Sequence, residues 1–458
     1  MLDIAVRGNV HENRGIREIA VNVHTRVLAV LTASAWILAG GVSALANPIE
    51  FELKYLLDSH PKIREAEKTL ESRRASIKEV TSQYYPQVSL SGQMGPQTVD
   101  SASERANNNG EPWSGFSNIA GIVVNQNVFD GFRTSSQVRS ATINREIAQI
   151  SLEGTRQNTL FEGVRTYIDV LRQRRLVEMA HENERTIQRQ LNLEDERVRR
   201  GSGVTVDVLQ AKSRLQIAKE RRVGYEGSLA NAISRYEQVF GHVPQLAEMI
   251  DPAPPAEVIP SSLARAIEIS LAENPALAGG AATVEIARER RTQTLGSLYP
   301  TLDLVGSANY ERQNNTVEGI RRDYSVALSA NWDLFTGGST LAQAERNAFD
   351  YQASMDNYDF TTTKVIEQAR IAWQSLVTSL ERKELLGNAV NIAAEVFDSR
   401  KKLRDAGKET VINVLDAENE VNNAQINYTT ASYDQRLAIY QLLLAMGRLV
   451  PDYMISER

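Results

Sequence analysis

The stretch NVFDGFRTSS at residues 127–136 decides the fold, because it recurs in altered form as DLFTGGSTLA at residues 333–342. In each copy a run of alternating apolar and polar residues precedes the glycine, and a long tract of helix-forming residues follows it. Alternation with period two is typical of a β-strand, and a glycine of this kind marks the strand's end. The stretch therefore predicts that one chain contains the same strand, turn and helix twice.

The repetition extends along most of the chain. At an offset of 206 residues these pairs coincide: Phe129 and Phe335, Gly131 and Gly337, Gly201 and Gly407, Val208 and Val414, Leu209 and Leu415, Ala211 and Ala417, Ala218 and Ala424, and Gly241 and Gly447. At an offset of 214 residues, Tyr85-Pro86 coincides with Tyr299-Pro300. Self-similarity at a fixed spacing indicates a repeated structural unit, so the chain is predicted to be a tandem duplication.

Each repeat is predicted to contain a helix, two strands and a long helical hairpin. The first helix of each repeat ends before Tyr-Pro, because proline disfavours helix in the residue before it. The strand YSVALSANWDLF at 324–335 alternates apolar and polar residues throughout. After the second strand, about seventy residues without proline run to Gly201 or Gly407, which as helix would measure about 100 Å.

These features predict the organisation of the chain. The first repeat covers 47–250, with its hairpin tip near 201–207, and the second covers 263–458, with its tip near 407–413. The Pro-rich segment 251–262 between them reads as a linker.

The N-terminal segment 1–46 has the pattern of a secretory signal. A polar, basic region ending at Arg26 leads into the apolar run 27–46, which closes on Ala-Leu-Ala. We expect this segment to be removed before Asn47, so that the protein is exported. The alternative is a retained membrane anchor.

Composition excludes several classes of protein. The chain has 458 residues and no cysteine; without 1–46 it has 47 basic and 54 acidic residues, a net charge of −7. This mild acidity argues against nucleic-acid binding, and the lack of cysteine excludes a lipid-anchoring cysteine. No P-loop, GxSxG or HExxH motif appears, and the histidines lack ligand spacing, so we expect no enzyme activity, no cofactor and no metal site.

Four strands per chain are too few to close a membrane barrel, which needs about eight. If the apolar strand faces meet lipid, several copies must pool their strands, and three copies would supply twelve. The candidate lipid-facing residues are Leu302, Leu304, Val326, Leu328, Trp332 and Leu334. The alternative is a soluble helical protein with two β-hairpins packed on its own surface.

The motifs NVFDGF and LFTGGS, the Tyr-Pro strand starts and the segment GKETVINVLDAENEVNNAQINY at 407–428 resemble the TolC family of outer-membrane ducts. The resemblance covers 47–458 and implies a mainly α fold with a β-barrel part. Three copies would share a twelve-stranded barrel in outer-membrane lipid, continued by long helical hairpins across the periplasm. It also implies two partners: a periplasmic adaptor (membrane fusion protein) and, through it, an inner-membrane ABC or proton-driven transporter.

The resemblance further suggests functional residues at the hairpin tips. Asp416 matches an acidic residue that rings the narrowest part of the family's pore, whereas Asn413 stands where the family has a second one. Asp207 matches an acidic residue of the latch between hairpins, but Arg404 and Glu409 replace its usual aromatic and basic partners. We therefore expect Arg404 to pair with Asp207. The alternative is that all these charges are ordinary solvated helix residues, as we expect for Glu194-Asp195-Glu196.

The small, exposed tips would dock the adaptor through Gly201, Ser202, Gly203, Gly407 and Lys408. The leading hypothesis is the outer-membrane duct of a tripartite export system, in type I protein secretion. The alternative is the same duct in drug or metal efflux. A periplasmic coiled-coil adaptor or structural protein fits less well, because it would lack the alternating strands and the duplication.

Overall fold

The computed structural model describes residues 49–451, so the predicted signal 1–46 and its cleavage site lie outside the described part. The elements follow in this order: α1 (Ile49–Ser59), α2 (Pro61–Thr81), β1 (Gln87–Val99), α3 (Ala102–Asn107), β2 (Trp113–Phe129), α4 (Arg133–Arg199), α5 (Thr205–Phe240), α6 (Leu263–Glu273), α7 (Pro275–Gly296), β3 (Thr301–Asn314), β4 (Val317–Asn331), α8 (Ser339–Asp405) and α9 (Val411–Ala445). Within this range no helix is both long and apolar enough to cross a membrane.

Two helical hairpins dominate the structure. Helices α4 and α8 have 67 residues each, a length of about 100 Å. Helix α4 packs against α5, and α8 packs against α9. The hairpins also contact each other, mainly through α4 and α9. The seventy-residue tracts of the sequence are therefore continuous helices.

The largest core lies where the hairpins meet the short helices. The α4 residues Leu160, Val164, Tyr167 and Leu171 are all almost completely buried, at the spacing that places them on one face of a helix. They pack with side chains from α1, α5 and α9. In α8, residues Ala369, Trp373, Leu376 and Leu380 have the same spacing, but this face is only partly buried, because Leu380 is exposed.

The four strands form one antiparallel sheet in the order β1-β2-β3-β4. Directly opposed residues share a face, so the register gives rows across the sheet. One row contains Val88, Val124, Gly306 and Val326, and the next contains Leu90, Ile122, Ala308 and Tyr324. This apolar face is open to solvent in the single chain, with Val326 79% exposed. The residues of the opposite face include Ser91, Asp303, Ser307, Asn309 and Asp323.

The last strand is shorter than its alternation predicts. Leu302, Leu304, Val326 and Leu328 lie on the apolar face, but β4 ends at Asn331. Trp332 and Leu334 therefore lie beyond the strand, which corrects the prediction that it continues to 335. The physical reason is that β3 begins at Thr301, directly after Pro300, so residues beyond Asn331 have no strand to pair with. The Trp332 indole instead donates a hydrogen bond to Leu298 O at 3.0 Å.

The recurring turn of 127–136 caps the long helices. Asp130 Oδ2 accepts hydrogen bonds from the backbone N–H and the hydroxyl of Thr134, both at 2.7 Å. Such bonds satisfy donors that the first turn of a helix leaves free. Gly131 and Phe132 both have positive φ, 69° and 66°.

In the second copy, Thr336 Oγ1 accepts from Thr340 N at 3.4 Å, and Gly337 and Gly338 supply the positive φ values. Both copies thus cap the first turn of a long helix, but with different side chains.

Gly131 and Gly337 allow a matched test of close packing. A Cβ at Gly131 would overlap the carbonyl oxygen of Gly296, whereas a Cβ at Gly337 would meet nothing within 4 Å. We expect Gly337→Ala to destabilise by about 1 kcal/mol through backbone strain alone. Gly131→Ala adds the overlap with backbone and should cost about 2–4 kcal/mol in total. Thermal unfolding in detergent, followed by circular dichroism, measures both; equal losses would contradict the close approach.

Candidate functional site: the two hairpin tips

Both hairpins turn through the same local structure. Gly201 and Gly407 have φ values of 76° and 73°, in the left-handed region that glycine enters without a side-chain clash. Ser202 N donates to Arg197 O, and Gly201 N donates to Val198 O. Lys408 and Gly407 make the equivalent bonds to Leu403 and Arg404. These pairs form the Schellman motif that ends many helices.

The residues predicted to dock an adaptor therefore lie together at each tip. Gly201, Ser202, Gly407 and Lys408 are exposed. Gly203 is half-buried, because its backbone passes close to Val198, where a Cβ would lie 2.8 Å from Val198 N. The geometry of the turn accounts for these glycines, and docking itself stays a prediction.

Apolar side chains hold the two hairpins together near the tips. The cluster comprises Ile187, Leu191, Val208, Ala211, Leu215, Ala218, Val411 and Leu415. It draws residues from α4, α5 and α9, so the tips are joined by a core as well as by polar contacts. Four of its members, Val208, Ala211, Leu215 and Ala218, lie on one face of α5.

Arg404 forms an ion pair with Glu194, which links α8 to α4. This differs from the expected pairing of Arg404 with Asp207. Glu194 is 2% exposed, and Arg197 of its own helix approaches it at 3.4 Å. The expectation that 194–196 is a solvated face is therefore wrong for Glu194. A buried carboxylate needs such partners because desolvation of an unpaired charge is costly.

Glu409 and Asn413 organise the start of α9. Glu409 Oε1 accepts hydrogen bonds from the Asn413 side-chain amide and from Thr410 N. The bond from Asn413 first, and then the bond from Thr410 N, hold the pKa of Glu409 below its ordinary value. Thr410 caps the helix by accepting from Asn413 N at 3.4 Å. Asn413 thus fixes a carboxylate that remains ionised at neutral pH.

Asp416 forms an ion pair with Arg214 of α5 and remains more than half exposed. The pair lines a groove of about 550 Å³ between the hairpins. Asp207 lies at the start of α5, in the first repeat. The 206-residue offset matches it with Asn413 of the second repeat, whereas Asp416 is matched with Gln210. Arg214 could not be identified from the sequence, since only the packing of α5 beside α9 brings it to Asp416.

A further carboxylate is half-buried between the hairpins. Glu418 accepts a hydrogen bond from the Gln190 side chain. Burial raises the pKa of Glu418, and the bond from Gln190 opposes that shift. Sequence reasoning did not find this pair, because Gln190 and Glu418 are distant in sequence and only the packing of α4 against α9 brings them together. Within 49–451 no group of three or more His, Asp or Glu residues is arranged to hold a metal ion.

The duplicated hairpins, the four-stranded sheet with one apolar face and the paired tips define the protomer of a channel protein. The family model of outer membrane efflux proteins matches residues 53–242 and 266–448. The chain belongs to this family and is an outer-membrane protein, which confirms the resemblance to the TolC family and the channel fold. Neither the family nor the fold is one of known enzymes.

Several relatives carry names from the same class. The chain is 28% identical to the outer membrane efflux protein BepC of Brucella suis, covering 73% of each chain. It is 24% identical to the outer membrane protein TolC of Vibrio cholerae, over 72% of this chain and 76% of that one. It is 23% identical to the alkaline protease secretion protein AprF of Pseudomonas aeruginosa, over 72% and 70%.

Solved structures show the same fold. The outer membrane protein VceC of Vibrio cholerae superposes with a TM-score of 0.74 at 17% identity, over 87% of this chain and 96% of that chain. The likeness concerns the path of the backbone, since the identity is low.

The ion pair between Arg404 and Glu194 generates a testable expectation. Arg404→Ala leaves Glu194 buried with Arg197 alone, so we expect the tips to lose about 2 kcal/mol of local stability. Amide hydrogen exchange at both tips should then accelerate by about thirtyfold. The control is Arg200→Ala, which removes an exposed pair with Glu196 and should change exchange by less than about threefold. Equal effects of the two substitutions would contradict the importance of burial.

Proposed function

We propose that three copies of this chain assemble into a duct through the outer membrane and across the periplasm. The single observation that carries the proposal is the sheet, which has two unpaired edges, β1 and β4, and an exposed apolar face. Unpaired backbone groups are unfavourable in lipid, so the edges need strands from other copies. Three copies supply twelve strands, which is within the range of membrane barrels.

The helices support the same assembly. On α8, Leu385, Ile392, Val396 and Leu403 are exposed at spacings of seven and four residues, which place them in one stripe. On α5, Leu209, Ile217 and Val223 are exposed as well. Helices α4 and α9 already join the two hairpins within the chain. The free faces of α5 and α8 thus suit contact between neighbouring copies, which would close a ring of helices.

The tips would form the closed end of this duct. In the proposed assembly Asp416 contributes one carboxylate per copy to the constriction, and the pair of Arg404 with Glu194 helps to hold the hairpins together. Asp207 and Glu409 add further negative charge near the tips. The exposed turns at Gly201 and Gly407, with Ser202, Gly203 and Lys408, would dock a periplasmic adaptor. The adaptor would connect the duct to an inner-membrane ABC or proton-driven transporter.

For the cargo we propose protein export by a type I secretion system. One relative, AprF, is named for the secretion of alkaline protease, and the chain has no cysteine to carry a lipid anchor. Drug or metal efflux is the second candidate, favoured by the name of BepC as an efflux protein at 28% identity. Energy for either process must come from a partner, because no nucleotide-binding motif occurs in this sequence.

One experiment tests the assembly, and a second one tests the cargo. The full precursor would be expressed in a Gram-negative strain that lacks its own duct, and outer membranes would be run on denaturing gels without and with heating. A band at three times the monomer mass that collapses on heating is expected, whereas a monomer in the soluble periplasmic fraction would overturn the duct.

Cargo is tested by deleting the gene in the source bacterium. We expect proteins to disappear from the culture supernatant and to return with the restored gene. An unchanged supernatant with increased drug or metal sensitivity would replace secretion by efflux.

The charge at the constriction predicts the ion selectivity. Three carboxylates around a narrow pore attract cations, so Asp416→Asn should reduce the cation preference in planar bilayers by about twofold or more. Arg214→Gln provides a control of opposite sign, because it removes the cation beside Asp416 and should increase the preference. If neither substitution changes the reversal potential in a salt gradient, Asp416 does not line the constriction.

A further inference from the structure

The apolar face of the sheet carries two arginines at its loop end. Arg312 of β3 is opposed by Ile320 of β4, and Tyr310 is opposed by Arg322. Opposed residues share a face, and Arg312 also lies opposite Asn118 of β2. Both arginines are therefore on the same face as Val326 and Leu328, and both are exposed.

The two arginines lie at the height where an apolar band should end. Arg312 is about 33 Å along β3 from Leu302, which a strand tilt of about 40° reduces to about 25 Å. This is the usual height of the apolar band on an outer-membrane barrel. The long helices α2, α4, α7 and α8 adjoin the sheet at the opposite end, next to Leu302, and only the six-residue α3 lies in the connection between β1 and β2. The arginines thus mark the boundary away from the helical hairpins.

Neither arginine is neutralised within the described chain. No ion pair is formed by Arg312 or Arg322, while neighbouring Arg321, on the other face, lies 3.7 Å from Asp323. The guanidinium of Arg322 lies over the ring of Tyr310, 5.9 Å from its centre, and this contact leaves its N–H donors free. The row across the sheet at Arg312 contains Met94, Asn118 and Ile320 and no carboxylate.

We propose that Arg312 and Arg322 bind the phosphate groups of a phosphorylated lipid in the external leaflet. The proposal rests on the outer-membrane duct, which places the loop end of the sheet at that leaflet. Guanidinium groups donate paired hydrogen bonds that match phosphate oxygens. The adjoining exposed Ile320 and Tyr324 would contact the upper acyl chains. Pairing of strand edges between copies leaves this face uncovered, so the patch stays accessible in the assembly.

The test measures lipid binding to the purified full-length mature protein. Bisphosphorylated lipid A is titrated into the protein in detergent, and bound lipid is counted by native mass spectrometry. The double variant Arg312→Gln/Arg322→Gln should bind about tenfold more weakly than the wild type. The matched control is Arg321→Gln, on the same strand but on the opposite face, and it should bind like the wild type. Dephosphorylated lipid A should bind all three proteins equally weakly.

Equal binding of lipid A by the double variant and the wild type would overturn the proposal, and so would equal affinity for the dephosphorylated lipid. The single variants Arg312→Gln and Arg322→Gln give the same comparison if the double variant does not fold, with intermediate losses expected. A wild-type protein that runs as a monomer on unheated gels would count against the duct alone. The sheet face exists in one chain, so the titration still reports on the two arginines.

Discussion

The unpaired backbone at the two edges of the sheet is the constraint on which the rest of the structure depends. A chain with four strands has N–H and C=O groups on β1 and β4 that it cannot pair by itself. In water these groups can be hydrated, but in lipid they require another strand. The exposed apolar face argues against a sheet in water, because this face is stabilised only in lipid or against another apolar surface. In the proposed assembly, neighbouring copies would pair these edges and cover the exposed apolar stripes on α5 and α8.

The duplication explains how so long a molecule is built with few turns. In each repeat a short capped turn redirects the chain from a strand into a helix of 67 residues. Asp130 and Thr336 perform the capping, and Gly201 and Gly407 allow the return. Local hydrogen bonds at four turns therefore fix the path of most of the chain, while packing between α4 and α9 fixes how the repeats meet.

The elements could be predicted from sequence because their signals are local. Alternation at period two and the tracts without proline identified the strands and the long helices, and glycines identified the tips. The end of β4 could not be predicted, because alternation continues through Leu334 after the partner strand has ended. The burial of Glu194 could not be predicted for a similar reason: the helix pattern places it on a polar tract, and only the neighbouring hairpin covers it. The partners of Arg404 and Asp416 depend on packing between helices distant in sequence.

The repeat relationship also determines the symmetry of charge at the tips. Asp207 and Gln210 in one repeat correspond to Asn413 and Asp416 in the other, so each matched position pairs a carboxylate with an amide. In a ring of three copies, six equivalent positions at each level would alternate between the two. The three copies of Asp207 would then form one triangle of charge and the three copies of Asp416 a second one. The two triangles would be separated by about 4.5 Å along the axis and rotated relative to each other, so that neither level carries a ring of six charges. The backbone would approach sixfold symmetry, while a passing ion would experience a threefold field.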